Sequence, residues 1–478
     1  MNGFSPQLGL YLVIATPAIA AILALLPLSR ASELVARTAS LVTFGASCAL
    51  LVTGASGRWG PYLGLDPLSD VFLFMVTGIY ATSTWYSRGY LRSIHEAFLT
   101  PQIYYALLSA FAFAMISVLV VTDLGLMWIG VEATTVASAL LIVLERKPAS
   151  VEAAWRYTLI ASAGLTIALF ALLILYTATG TLDGFALAAA PPVVTLPIEM
   201  AVALALVGYG TKVGLFPMHT WLPDAHSEAP SPISAMFSGV LLPTALYAFL
   251  RVYRVLPEPT PALVSNLVLA FGVVTSLVAA FLLQRQRSFK RLLAYSSMEV
   301  MGLAVIGIAV GGIALYGALL LLVAHAFAKS AAFYCAGNVL RGTGTNRIDE
   351  VRDLRGRMPW TGAGWVVSAA AVTGAPPFGT FLGELLIVVG ALATGAIWVA
   401  GVVVVAILVA FLGVNSQIGR MVFGEADSET APIPAGSDTG WGVAYLNLAM
   451  AFAIGVATLP YLSEALREAA VQLGGALP

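Results

Sequence analysis

The chain has 478 residues, 59% of them hydrophobic and 10% charged, whereas a soluble domain averages roughly 45–50% apolar and about 25% charged residues. A net charge of −1 gives no electrostatic footprint for nucleic acid or any other polyanion. The apolar residues fall into runs of about 20, the length that crosses a hydrocarbon core about 30 Å thick, so composition and patterning together define an all-α integral membrane protein embedded in a lipid bilayer.

The first run, Gly9 to Leu28, has no positive residue ahead of it and is long enough to span, which argues for a first transmembrane helix rather than a cleaved signal peptide. In chain order the runs predict helices near residues 8–28, 36–55, 67–86, 102–121, 123–144, 156–178 and 198–218, then 232–254, 262–284, 292–311, 313–340, 361–391, 395–420 and 441–460, about fourteen in all. They divide into a three-helix segment (1–100), a first half of helices 4–8 (101–258), a second half of helices 9–13 (259–425), and a last helix with a short tail (426–478).

Lys and Arg prefer the inner loops of membrane proteins. With the N-terminus outside, seventeen of the 23 Lys and Arg fall inside: Arg30, Arg37, Arg88, Arg92, Arg146, Lys147, Arg156, Arg285, Arg287, Lys290, Arg291, Arg341, Arg347, Arg352, Arg355, Arg357 and Arg420. Arg58, Arg251, Arg254 and Arg467 fall outside, and Lys212 and Lys329 lie within helices. Two helices carry interrupting prolines: Pro217 near the end of the seventh, and Pro376 with Pro377 in the twelfth. A proline removes a backbone donor, which lipid tolerates only where protein or water re-satisfies the backbone. Broken helices at matching places in two halves point to inverted repeats around an ion path, here helices 4–8 and 9–13.

Ionisable residues inside spans cost roughly 2.5–3.5 kcal/mol each on insertion scales. The chain keeps Glu132, Lys212, Glu299, His325, Lys329 and Glu384. Glu132 and Lys212 read as an ion pair whose making and breaking sets the affinity of the lysine for a proton, or as a static bridge between helices. His325 and Lys329, four residues apart, share one helix face and form a relay; the alternative is a histidine bonded to a carbonyl and a lysine reaching for the interface. Glu384 is suited to pass a proton outward or to serve as a structural carboxylate. Glu299, with Ser296 and Ser297, supplies further relay candidates. The connection FPMHTWLPDAHSEAPSPIS gathers His219, Asp224, His226 and Glu228, whose spacing is a weak metal pattern; a proton inlet to Lys212 or a hydrogen-bonded clamp suits it better. The two cysteines, Cys48 and Cys335, lie far apart in apolar runs and make no cluster site, and no Walker or dinucleotide sequence occurs. The chain therefore presents neither a metal site nor a cofactor site and no redox chemistry of its own.

The stretches WIGVEATT, TKVGLFPMHTWLPDAHSEAPSPISAMFSG, FKRLLAYSS, HAFAKSAAFYCAGNV and PPFGTFLGE resemble the antiporter-like proton-translocating membrane subunits of respiratory complex I, group 4 hydrogenases and Mrp-type antiporters, most of all the F-type component of hydrogenase-4 complexes. The likeness runs over about residues 65 to 425. It implies fourteen helices, two inverted five-helix repeats, broken helices 7 and 12, and a prokaryotic cytoplasmic (inner) membrane. By motif it implies that Glu132 and Lys212 form the family's pair, that Lys329 or His325 is the central relay, and that Glu384 stands beside the outer exit. The chain departs from complex I relatives at two places: Pro243 stands where they often have lysine, and Val300 where they often have histidine. The implied function is proton translocation in a multisubunit redox-driven complex, with neighbouring membrane subunits and a peripheral hydrogenase or oxidoreductase arm as partners. The alternatives are an Mrp-type sodium/proton antiporter subunit, and a membrane platform coupled to a soluble partner.

Overall fold

The computed structural model describes residues 5–26, 29–94, 97–145, 147–257, 259–427, 430–434, 437–457 and 459–474. Of the basic residues counted above, Arg146 and the side chain of Arg30 lie outside the described residues. Twenty α-helices follow one another: α1 (Pro6–Leu23), α2 (Ser29–Thr53), α3 (Pro67–Leu91), α4 (Pro101–Val120), α5 (Leu124–Ile142), α6 (Pro148–Thr179), α7 (Gly184–Ala189), α8 (Leu196–Val213), α9 (Leu222–Glu228), α10 (Ser231–Met236), α11 (Leu242–Tyr253), α12 (Ala262–Leu283), α13 (Phe289–Val310), α14 (Gly312–Thr343), α15 (Leu354–Arg357), α16 (Pro359–Val372), α17 (Gly379–Ala393), α18 (Ile397–Phe423), α19 (Trp441–Val456) and α20 (Pro460–Gln472). A two-stranded antiparallel hairpin, β1 (Gly57–Trp59) and β2 (Leu63–Leu65), joins α2 to α3.

Among the described residues, 11 helices are long and apolar enough to cross a membrane, and up to 12 if the pair α19 and α20, bent by 68°, is one span. The other expected spans fall on α3 and on the pair α16 and α17. The 25-residue α3 is long enough but is buried along most of its length, and a helix that faces protein has no need of an all-apolar surface. Its hydroxyls bind neighbours instead: Tyr80 to Ser109, Ser83 to Tyr334 and Ser87 to Tyr104, all at 2.8–2.9 Å. In α16 and α17 the double proline divides one apolar run into pieces of 14 and 15 residues.

The core lies where α3, α10, α11, α13 and α14 meet. Ser231–Tyr253 is buried along its whole length, and α13 and α14 are nearly so. The outer helices α1, α2, α6, α12 and α18 instead show Leu, Ile, Val and Phe outward, as lipid-facing helices do. Between α10 and α11, residues Phe237–Leu241 form a π-helical turn. Pro243 explains its position: a proline has no N–H for the carbonyl four residues back and collides with it, and widening the preceding turn relieves both problems.

Candidate functional site

The first polar centre is built by α5, α6 and α8. Lys212 occupies the last turn of α8, where a positive charge meets the negative end of the helix dipole. The helix stops at Gly214, which is left-handed (φ 85°), a conformation that suits glycine. Beyond it Trp221 donates its indole N–H to the Thr211 carbonyl at 2.8 Å, and the Phe216 amide donates to Thr275 Oγ1 at 3.0 Å. The break is therefore re-satisfied by protein.

Lys212, fully buried, donates to Thr135 Oγ1 at 2.6 Å and to the Tyr157 hydroxyl at 2.7 Å. Tyr157 continues to Ser138 at 2.8 Å. Hydroxyls both donate and accept, so these three extend a chain away from the ammonium. Glu132, one turn before Thr135 on α5, takes a 2.6 Å bond from Ser162, while its other oxygen is buried and has no partner among the described residues. Glu132 acts on Lys212 through its charge, but the two do not touch: among the described residues no ion pair within 4.0 Å joins any of Glu132, Lys212, Glu299, Lys329 and Glu384. The ion pair expected from the sequence is open in this structure, with hydroxyls on Glu132 and on Lys212 in its place.

The connection from α8 to α10 separates the four residues the sequence groups together. Asp224 is held by Arg156 at 3.2 Å and by Arg291. His219 stacks on Phe216, with centroids 5.6 Å apart. Glu228 lines a cavity of about 270 Å³ with Glu145, Lys147, Lys290 and Arg347. His226 points inward, fully buried, stacked on Phe333 and edge-on to Phe237, each at 5.6 Å, and both its ring nitrogens lack partners among the described residues. Lys290 is buried behind the same cavity and donates to the Ala229 carbonyl. These residues pass from an open cavity to the interior rather than closing on one point.

The second centre lies at the π turn. Ser238 meets Ser297 at 2.6 Å; Ser297 donates to the Leu293 carbonyl at 3.0 Å, and Lys329 Nζ donates to the same oxygen at 2.9 Å. His325, one turn before Lys329, is fully buried beside the Ser238 backbone, with neither ring nitrogen in full hydrogen-bond geometry among the described residues. Ser296 Oγ and Glu299 Oε1 are also buried and have no partner among the described residues. Glu299 interacts electrostatically with Lys329 on one side and Glu384 on the other. The structure thus brings Glu299, Ser297, His325 and Lys329 together around α13 and α14.

Glu384 follows the second break. The chain there reads Gly374-Ala-Pro-Pro377, and the first reads Gly214-Leu-Phe-Pro217: each has a left-handed glycine three residues before a proline. The buried Glu384 carboxylate lies so close over Gly374 that a Cβ there would fall 1.8 Å from Oε2. Sequence reasoning missed Thr135, Tyr157, Ser162 and Ser238. It also missed a paired cluster apart from this row: Arg251 grips Asp66 with two bonds of 2.5 and 2.6 Å, and Arg254 adds a third at 2.9 Å. Asp66 just ahead of a proline, and two arginines one turn apart on a buried helix, were the available signals.

Broken helices around a row of buried ionisable groups define an antiporter-like ion-translocating membrane subunit. The chain belongs to the NADH:quinone oxidoreductase/Mrp antiporter transmembrane family, which matches residues 121–410. It is 33% identical over 390 residues to a hydrogenase-4 component F homolog of Methylacidiphilum infernorum, covering 78% of this chain and 82% of the relative. It is 33% identical to NADH-quinone oxidoreductase subunit N of Desulforudis audaxviator, covering 75% and 72%. Its fold matches a chain of an archaeal membrane-bound sulfane sulfur reductase with a TM-score of 0.87 at 22% identity, over 98% of both chains. A chain of the Mrp complex from Dietzia sp. matches at 0.85 and 22%, again over 98% of both.

Proposed function

We propose that this chain carries protons across a prokaryotic cytoplasmic membrane within a redox-driven complex of the hydrogenase or NADH–quinone type, along Glu132, Lys212, the Ser297–His325–Lys329 centre, Glu299 and Glu384. One observation supports the reading: ionisable groups on α5, α8, α13, α14 and α17, buried except for the half-buried Glu132, form no ion pair with one another among the described residues, and Lys212 meets two hydroxyls while Lys329 meets a carbonyl shared with the Ser238–Ser297 hydroxyl pair. A buried charge locked in an ion pair is held in one protonation state, whereas one facing hydroxyls keeps a path by which its proton leaves. The cavity at Glu228 and Lys290 serves as the inner inlet, with His219, Asp224 and His226 around it, and Glu384 faces the outer exit. Movement of Glu132 toward or away from Lys212, driven through neighbouring membrane subunits by the redox arm, shifts the lysine between holding and releasing a proton.

The same reading has fourteen crossings with the N-terminus outside, counting α3, the broken α16–α17 pair and α19. The two Gly-x-x-Pro breaks stand at corresponding places of inverted repeats over 101–258 and 259–425, flanked by the segments 1–100 and 426–478. Replacing Lys212 by Met tests it in vesicles holding the assembled complex: a pH-sensitive dye should report loss of proton uptake while subunit composition is unchanged. Proton uptake at the unmutated rate would overturn it. The likeness to the Mrp complex favours a second reading, sodium/proton exchange without a redox partner, which predicts sodium-dependent proton flux in the absence of any electron donor.

A further inference from the structure

Between α2, α3, α14 and α19 lies an apolar groove of about 410 Å³ lined by Leu41, Phe44, Gly78, Trp85, Phe327 and Leu446 among others. At one end Trp85 lies under the Arg37 guanidinium, 3.8 Å from its ring centroid. Arg88 and Arg92 follow on the next turns of α3, and all three arginines converge on Glu33, at 3.3, 3.0 and 3.8 Å. Three positive charges around one carboxylate leave the group positive. Two donors there lack partners among the described residues although buried: Arg37 Nε and the hydroxyl of Tyr105, which faces the same four charges. An apolar trough ending in a net positive arginine cluster has the chemistry of one anionic lipid, tail and headgroup. A transmembrane helix, about 10–12 Å across with its side chains, would fill the trough within roughly one turn and offer no anion at its end. Arginine is the residue best suited to phosphate, through charge-assisted bonds in a fixed fork.

We propose that this groove is a binding site for an anionic phospholipid, with an acyl chain against Phe327 and Gly78 and the phosphate held by Arg37, Arg88, Arg92 and Tyr105. Nothing in this proposal depends on proton translocation, since none of these residues belongs to the ionisable row.

The experiment uses the purified complex in phosphatidylcholine vesicles carrying either phosphatidylglycerol or phosphatidylcholine with a photoactivatable diazirine in its acyl chain. Cross-linked peptides are then mapped by mass spectrometry. Phosphatidylglycerol should label the α3 and α19 peptides at least about fivefold more than phosphatidylcholine, a preference equivalent to about 1 kcal/mol. Ala81 also lines the groove, so Ala81→Trp, which fills the trough, should remove the labelling for both lipids. Arg88→Gln with Arg92→Gln should remove the headgroup preference and keep the labelling, so the proposal remains testable if the tryptophan variant fails to assemble. Equal labelling by the two lipids in the unmutated protein, labelling indifferent to either variant, or groove peptides that cross-link to a neighbouring subunit instead would each overturn it.

Discussion

Two sets of buried charges sit within one bundle and are treated in opposite ways. Around Asp66, two arginines, the Ser69 amide and hydroxyl, and the Tyr247 hydroxyl close a network in which both carboxylate oxygens are bonded. Along the row from Glu132 to Glu384, lysines meet hydroxyls and a carbonyl, and several histidine and carboxylate atoms meet nothing among the described residues. The same low-dielectric interior surrounds both. Such a network suits a structural clamp, because ion pairs and hydrogen bonds fix the carboxylate and both guanidinium groups in place, although the cluster stays net positive and Arg251 Nε has no partner among the described residues. An open row is unsuited to holding helices together but suited to groups that exchange protons. Burial alone therefore does not mark a functional charge; the character of its partners does.

Substitutions can break that contrast. Lys329→Met in the open row should lower proton transport about 100-fold or more, the scale of losing a proton-transferring group, with thermal stability in detergent unchanged or raised, since an apolar side chain replaces an unpaired buried charge. A variant that transports normally, or that unfolds early, would place Lys329 with the clamps. Asp66→Ala should do the reverse: it leaves Arg251 buried and uncompensated and should cost about 3–5 kcal/mol of stability, seen as a lower unfolding temperature, while correctly folded protein still transports.

A smaller change sharpens the same contrast at the second break. Gly374→Ala puts a methyl where the Glu384 carboxylate lies and should slow transport roughly tenfold, about 1.4 kcal/mol, with an assembled complex of normal composition. Unchanged transport would remove Glu384 from the row. The smallest effect belongs to the connection between α6 and α8, where Asp183 caps α7 and is bound by Arg58. Partial burial pushes the Asp183 carboxyl upward, but bonds from Arg58 and the Ala186 amide outweigh it and hold the group below the usual aspartate range. The stabilisation is therefore present above the unfolded aspartate value and is lost as pH falls through the lower folded one. Arg58→Ala should cost at most about 1 kcal/mol, because the pair is exposed, and the cost should shrink on acidification; a constant difference between pH 7 and pH 3 would show that the pair contributes nothing.

Much of this is legible in the sequence because lipid penalises the backbone and charge so heavily. Apolar runs locate helices such as α4, α5, α12 and α13 within a few residues. Pro217 and the Pro376–Pro377 pair announce the two breaks, and each ionisable residue inside a run stands out against its surroundings. The partners are not legible. Thr135, Tyr157, Ser162 and Ser238 are residue types common in membrane helices, and which of them faces Lys212 or His325 depends on helix rotation, which periodicity leaves loose when a helix is apolar all round. That is why the sequence points to Glu132 as the partner of Lys212 but not to the hydroxyls of Thr135 and Tyr157 that contact the lysine. The π turn is hidden for a related reason: Pro243 signals a disturbed backbone but not which of several distortions absorbs it. The amphipathic α20 lies in what the sequence presents as tail, since a run that is too short and too polar to cross gives no transmembrane signal.

The 32 residues of α14 run without a break, about 48 Å at the usual rise, against a hydrocarbon thickness of about 30 Å. Such a rod must lean or project from the membrane, and because α14 is buried along nearly all its length, the helices packed against it set that lean. Phe327, in the groove wall, and Lys329, in the open row, are two residues apart on it. The groove wall and the lysine that meets the Leu293 carbonyl therefore share one unbroken segment, and neither can shift along the membrane normal without the other.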